Sequence, residues 1–435
     1  MVIRKISYYR VIVSLCLFMF FLSPVFGDEN SAVSFDKELS ENNIVTIQPD
    51  SLRILHNPLT GWVLYASMGV DAVDFWAQYD HMYIPELGHN VSVTDYAHTL
   101  YIRASWTDFN PQEDVYGWKI DSNLRAYIEG AYQRNMRLAF RVVVDSRDKR
   151  TEFTPQFVKD AGAKGFMNKG KWSPYSDDPV FQKYYTKFVK ALAKDFNDPS
   201  KVEFIDGFGL GKWGEYHTMI YSTGDDTPKK AVFNWVTDIY SQAFDKVPVV
   251  INYHRWIGAG KDWVDDEHFA ADSEEMLEEA IKKGYSLRHD AFGMTTYYGS
   301  WERRFAKKYR NICPIIMEGG WIVKSHNYWQ DPRGYRKDSH EDVRRGEFDD
   351  SKEAHVNMMD FRFGDTKSWF KDAFDLVRRF LREGGYRLYP SEISLPLEVS
   401  KKTTPTIKHC WNNLGWGYCP TNIPQWNQKY KVAFA

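Results

Sequence analysis

Eight short apolar runs, spaced between residues 61 and 361 and separated by segments of helical character, constrain this chain more than any other feature. They fall at 61–66 (GWVLYA), 99–104 (TLYIRA), 138–144 (LAFRVVV), 202–210 (VEFIDGFGL), 247–253 (VPVVINY), 291–297 (AFGMTTY), 314–319 (PIIMEG) and 355–361 (HVNMMDF). Runs of this length, apolar on both faces, are what a parallel sheet covered by helices requires. Helical patterns at 122–135, 178–196, 231–245 and 273–283 precede the third to sixth runs, and another at 366–383 follows the eighth. The alternation predicts an α/β fold. Eight strands point to a closed (β/α)8 TIM barrel rather than an open sheet. The glycine-rich stretch 207–211 (GFGLG) has no helix start behind it, so a dinucleotide-binding fold is excluded.

The two ends of the chain read differently. Residues 1–27 have the layout of a signal peptide: Arg4, Lys5 and Arg10, an apolar run at 11–21, and a cleavage site before Asp28. A secreted or periplasmic protein is expected. No later stretch approaches the roughly 20 apolar residues of a membrane span, so no membrane insertion is expected after signal removal. The barrel is assigned to 28–385. Beyond it, Gly384-Gly385-Tyr386 breaks the last helix, and short strands at 386–390, 393–399, 406–409 and 429–434 follow. Residues 386–435 form a small C-terminal all-β segment, either minimal or the beginning of something longer.

Composition narrows the function. With 56 Lys+Arg against 58 Asp+Glu, the net charge of −2 offers no basic face for nucleic acid. Aromatic residues make up 16% of the 435 residues, rich in Trp and Tyr, which suit stacking on flat sugar faces. Cleavage of the signal leaves Cys313, Cys410 and Cys419. Cys410 and Cys419 can close a short loop, and Cys313 reads as a buried small hydrophobe. No cysteine pair has C-x-x-C spacing, so neither a metal nor a cofactor is expected.

In such a barrel, reactive side chains lie at the C-terminal ends of strands and in the loops that follow. Glu215 stands beyond the fourth run in Gly211-Lys212-Trp213-Gly214-Glu215-Tyr216-His217, and Glu318 ends the seventh in Met317-Glu318-Gly319-Gly320-Trp321. At roughly 31 residues per βα unit their spacing is three units, which sets them nearly across the barrel mouth. Two facing carboxyls are what cleavage of a glycosidic bond needs, one protonated and one ionised. Arg103 is placed to hold one of them ionised, and desolvation by Trp213 to raise the other. Arg141, also within an apolar run, requires an acidic partner inside the barrel, Asp145 or Asp108 being the structural alternatives. His217, His254, Tyr297 and the tryptophans Trp106, Trp213 and Trp321 complete the candidate polysaccharide-binding set. Asp145, Asp206, Asp290 and Asp360 compete for a catalytic place, because a one-residue slip in register turns a side chain out of the lumen.

The layout resembles the retaining glycoside hydrolases of clan A, whose acid/base ends strand four and whose nucleophile ends strand seven. Asn57-Pro58-Leu59-Thr60-Gly61-Trp62 and Ser105-Trp106-Thr107-Asp108-Phe109-Asn110-Pro111 resemble segments at the first two strands of clan A-like bacterial proteins. The Trp213-Gly214-Glu215 form is similar to the family 157 β-glucanases. The resemblance implies Glu215 as acid/base, Glu318 as nucleophile, carboxyls about 5–5.5 Å apart and an endo-β-1,3-glucanase activity. It also implies a tyrosine at the end of strand six that tunes Glu318, for which Tyr297 is the candidate. Many clan members carry Asn immediately before the acid/base, where this chain has Gly214. An exo-acting β-galactosidase-like enzyme and a non-catalytic glycan-binding protein are the alternatives.

Overall fold

The computed structural model describes residues 42–66, 68–147, 151–260, 267–293, 297–320, 340–362, 365–402 and 404–427. The signal segment, Trp321 and the strand expected at 429–434 lie outside these residues. The described chain divides into two units, one of residues up to 53 with 387–415 and one of 54–386 with 416 onward.

The larger unit is the barrel. Its strands are β1 (Gly61–Tyr65), β2 (Ala97–Ser105), β3 (Arg137–Val143), β4 (Val202–Asp206), β5 (Val249–Asn252), β6 (Ser286–Phe292), β7 (Ile315–Gly319) and β8 (Met358–Asp360). All neighbours are parallel, and β8 closes on β1 through Met358↔Gly61 and Asp360↔Val63. Helices α1 (Ala72–Asp80), α2 (Ser122–Gln133), α3 (Pro179–Phe196), α4 (Lys229–Ala243), α5 (Glu267–Lys282), α6 (Ser300–Tyr309), α7 (His340–Glu353) and α8 (Phe374–Glu383) follow strands one to eight in turn. The (β/α)8 expectation is met. One strand is displaced: the sixth is Ser286–Phe292, not 291–297. Its sequence SLRHDAF carries three ionisable residues, so a search for apolar runs passes over it. The barrel tolerates Arg288 and Asp290 because they pair with other charges in the lumen, while His289 is buried among the rings of Tyr253, Phe292 and Tyr298.

Alternation along the strands builds the lumen in layers, since side chains two residues apart share a face. A lower layer is apolar and includes Tyr101, Ala139, Phe204, Val250, Ile316 and Met358, with Ile423 and Trp426 packed into the same cluster. Two residues further along those strands stand Arg103, Arg141, Asp206, Asn252, Glu318 and Asp360. A polar layer therefore rests directly on the apolar one, at the C-terminal ends of the strands. Chain-terminal residues contribute here too: Trp416 donates to the Val356 carbonyl at 2.9 Å, and Asn357 donates to the Tyr418 carbonyl at 2.8 Å.

The smaller unit holds a three-stranded antiparallel sheet of Asn42–Thr46, Leu388–Pro396 and Lys408–Asn413, with Leu388–Pro396 in the middle. The strands expected at 386–390 and 393–399 are one continuous strand with a register shift between Pro390 and Glu392. Cys313, Cys410 and Cys419 are all free thiols. No helix among the described residues is long and apolar enough to cross a membrane.

Candidate active site

Glu215 does not sit on a strand. It is delivered by a contorted loop after β4 in which Gly211, Trp213, Gly214, Tyr216 and Thr218 all have φ between 51° and 77°. Left-handed backbone at bulky residues is costly and persists only where surroundings impose it. Here the loop carbonyls are gripped from several sides. Arg103 donates to the Trp213 carbonyl at 2.7 Å, His254 Nε2 to the Glu215 carbonyl at 2.7 Å, and Arg147 to the Thr218 carbonyl. Gly214 is required by this geometry: its φ is +77°, and a Cβ there would lie 3.3 Å from Gly209 Cα and 3.4 Å from Arg141 Cδ. An asparagine at this position would press its Cβ on both neighbours in left-handed backbone.

The Glu215 carboxyl is buried and surrounded by cations. Arg141 Nη1 donates to its Oε1 at 3.1 Å, Arg103 Nη2 lies 3.5 Å from the same oxygen, and His217 Nε2 is 3.4 Å from Oε2. Burial pushes this carboxyl up, but the hydrogen bond with His217 and the charges of Arg103 and Arg141 outweigh it, leaving it below the usual glutamate range. The desolvation expected from Trp213 is thus overridden, because two guanidinium groups stand closer than the indole can compensate.

Glu318 is buried on β7 and belongs to a second guanidinium centre. Arg288 on β6 donates to Glu318 Oε2 at 2.5 Å and to Asp360 Oδ2 at 3.2 Å, and it also pairs with Asp290. Arg362 Nε stands 3.8 Å from Glu318 Oε1. Burial and the neighbouring Glu318 push the Asp360 carboxyl well above the usual aspartate range. The two centres are joined. Asp206, fully buried on β4, meets Arg141 Nη2 at 2.5 Å and Arg288 Nε at 3.7 Å, and Asp290 lies 3.7 Å from Arg141 Nη2. Arg103 reaches Glu215 Oε1 at 3.5 Å and donates to the Tyr65 hydroxyl at 3.2 Å.

Most of the expected residues converge. Arg103 and Arg141 pair with Glu215, not with the structural alternatives, because Asp108 forms a capping box with Ser105 and Asp145 pairs with Arg147. His217 touches Glu215 directly. His254 is buried, accepts at Nδ1 from the Trp256 amide at 3.1 Å and donates at Nε2 to the Glu215 backbone, so it supports the loop and not a ligand. Trp213 is half-buried beside Glu215, its ring 5.5 Å from His217. Trp106 is not part of the site. It is fully buried, its ring packed against Phe157, Phe181, Tyr185 and Phe188 in the helix layer. Tyr297 lies half-buried in the turn between β6 and α6, past the strand end. Tyr65 on β1 accepts from Arg103 at 3.2 Å, and burial and the Glu318 charge both oppose its ionisation.

Four contributors escaped the sequence reading: Tyr65, Asn252, Arg288 and Arg362. Arg288 had one usable signal, a charged residue two positions before Asp290 with the spacing of a shared strand face. Among the described residues no cluster of His, Cys, Asp or Glu is arranged to hold a metal ion.

No protein-family model and no curated protein matches the chain. Several solved structures resemble it at low identity. An exo-beta-1,4-mannosidase from Opitutaceae bacterium strain TAV5 aligns with TM-score 0.43 and 12% identity over 74% of this chain and 59% of its own. Endo-glycoceramidase II from Rhodococcus sp. gives 0.43 and 13% over 80% and 83%. An endoglucanase from Pseudomonas stutzeri gives 0.42 and 10% over 74% and 94%. At these values the likeness adds nothing to the strand pairing, which by itself closes the barrel.

Proposed function

We propose that this protein is a retaining glycoside hydrolase of β-linked glycans, acting outside the cytoplasm, with Glu318 as nucleophile and Glu215 as acid/base. One observation supports the reading: two buried carboxyls beyond the C-terminal ends of strands of a closed barrel join one charged network, each held by its own arginine, the arginines bridged by Asp206 and Asp290. A purely structural network has no need to carry a carboxyl, that of Glu215, on a strained loop beyond the strand end.

Glu318 attacks the anomeric carbon as the glycosidic bond breaks, and the Glu215 proton passes to the departing oxygen. Water then gives a proton to the Glu215 carboxylate, its oxygen attacks the anomeric carbon, and the Glu318 ester is released. Arg288, donating to Glu318 Oε2, and Arg362, 3.8 Å from Oε1, hold its carboxyl in place for the attack. Arg103 and Arg141 stabilise Glu215 once it has lost its proton. Because they also hold Glu215 below the usual range, its acid form is populated at acidic pH.

Internal cleavage of β-1,3-glucan is the substrate choice we favour, supported by the resemblance of Trp213-Gly214-Glu215 to the family 157 β-glucanases. Incubation with β-1,3-glucan, β-1,4-glucan, β-mannan and galactan, with products sized, tests it. Oligosaccharides of several lengths from the β-1,3-linked polymer are expected, and both Glu215→Gln and Glu318→Gln should abolish them. Binding without hydrolysis by the parent protein overturns the enzymatic reading.

A further inference from the structure

Strand β6 is irregular where it reaches the site. Its pairing with β7 shifts register between His289 and Phe292, and Ala291 has φ +64°. In an unbroken strand Phe292 would follow Arg288 and Asp290 into the lumen. It packs instead on the helix side, against His289 and Tyr298. A bulge next to a site re-aims the side chain before it, and the side chain here is Asp290. Backbone strain at a non-glycine residue persists where the fold or function imposes it.

Asp290 also differs from its charged neighbours in access. The side chains of Arg141, Asp206, Arg288 and Asp360 are at most 2% exposed, whereas that of Asp290 is 15% exposed. It lies between the guanidinium that binds Glu215 and the one that binds Glu318. Asn252 fixes its orientation from both ends, donating from Nδ2 to Asp290 Oδ2 at 2.9 Å and accepting from the Asp290 amide at 3.3 Å. Arg288 donates to Oδ1 and Asn252 to Oδ2, and a carboxylate oxygen can accept more than one donor.

We propose that Asp290 binds a ring hydroxyl of the sugar seated between Glu215 and Glu318, with Asn252 as its positioning residue. This inference rests on the glycosidase reading. The space between two catalytic carboxyls receives the sugar whose anomeric bond breaks, and the partly exposed carboxyl of Asp290 accepts from a hydroxyl of that ring. The same negative charge faces the positive charge that grows on the ring in the transition state.

The test pairs a variant with a substrate series. Parent enzyme and Asp290→Asn are assayed on an aryl β-glycoside and on analogues lacking one ring hydroxyl at a time. A hydrogen bond to a charged group predicts a loss of about 10- to 100-fold in kcat/KM for Asp290→Asn on the full substrate. For one deoxy analogue that loss should shrink below about threefold, because the partner is already gone. Asp290→Glu keeps the charge opposite both arginines and should show the same collapse at the same position, which keeps the test alive should the Asn variant not fold. An equal loss on every analogue assigns Asp290 to scaffolding and overturns the inference while the glycosidase stands. A parent enzyme that cleaves none of the series overturns both.

Discussion

Removing the Arg141 charge is the sharpest probe of the lumen. Its side chain is fully buried, holds fully buried Asp206 through contacts of 2.5 and 2.6 Å, and holds Glu215 at 3.1 Å. Arg141→Met keeps much of the stem volume and deletes the guanidinium. Breaking a buried pair by removing one partner costs about 3–5 kcal/mol. Asp206 would retain the Tyr101 hydroxyl at 3.0 Å and Arg288 at 3.7 Å, which favours the lower end, about 3 kcal/mol. Denaturant unfolding of both proteins at neutral pH measures the deficit. A deficit below about 1 kcal/mol, within the range of exposed pairs, would refute the view that this network is tightly paired.

Other outcomes follow from the same geometry. Glu215 is held low by His217, Arg103 and Arg141 against its burial, so its protonated form gains as pH falls, and kcat/KM should be highest toward the acidic end of the range in which the fold survives; a maximum on the alkaline side contradicts the acid/base assignment. Gly214→Ala places a Cβ in left-handed backbone beside Gly209 and should cost about 1–2 kcal/mol in unfolding free energy, with a loss of activity. His289 is buried among Tyr253, Phe292 and Tyr298, and burial holds its pKa well below the ordinary value. The unfolded chain therefore takes up that proton first, and stability should fall as pH drops below about 6.5. In His289→Phe the slope just below that pH should flatten. Burial pushes the Cys313 thiol up to about 12, so a thiol reagent should modify exposed Cys410 in the native protein and reach Cys313 only on unfolding.

How much of this was legible follows from where each residue stands. Seven strands announced themselves because an interior parallel strand must be apolar on both faces, and the 178–196 pattern names a helix whose Asp178 caps the Phe181 amide at 2.9 Å. Glu215 and Glu318 could be picked from many acids because strand ends concentrate chemistry, and Arg103 and Arg141 because a guanidinium inside an apolar run demands a partner. Arg288 and Asn252 stayed hidden because their strands are short or charged and their roles depend on register. Trp106 misled because a tryptophan at a strand end can turn toward the helices as readily as toward the mouth. The depression of the Glu215 pKa was beyond reach as well, since it depends on how a loop of left-handed residues folds back onto β2 and β3.

The most direct measurement is covalent trapping. Incubation with a 2-deoxy-2-fluoro-β-glucoside bearing a good leaving group, followed by digestion and mass mapping of the modified peptide, should place one sugar on Glu318 and none in Glu318→Gln. A sugar found on Glu215, on Asp290 or on Asp360, or turnover with inversion and no adduct, would contradict the pairing of Glu318 as nucleophile with Glu215 as acid/base.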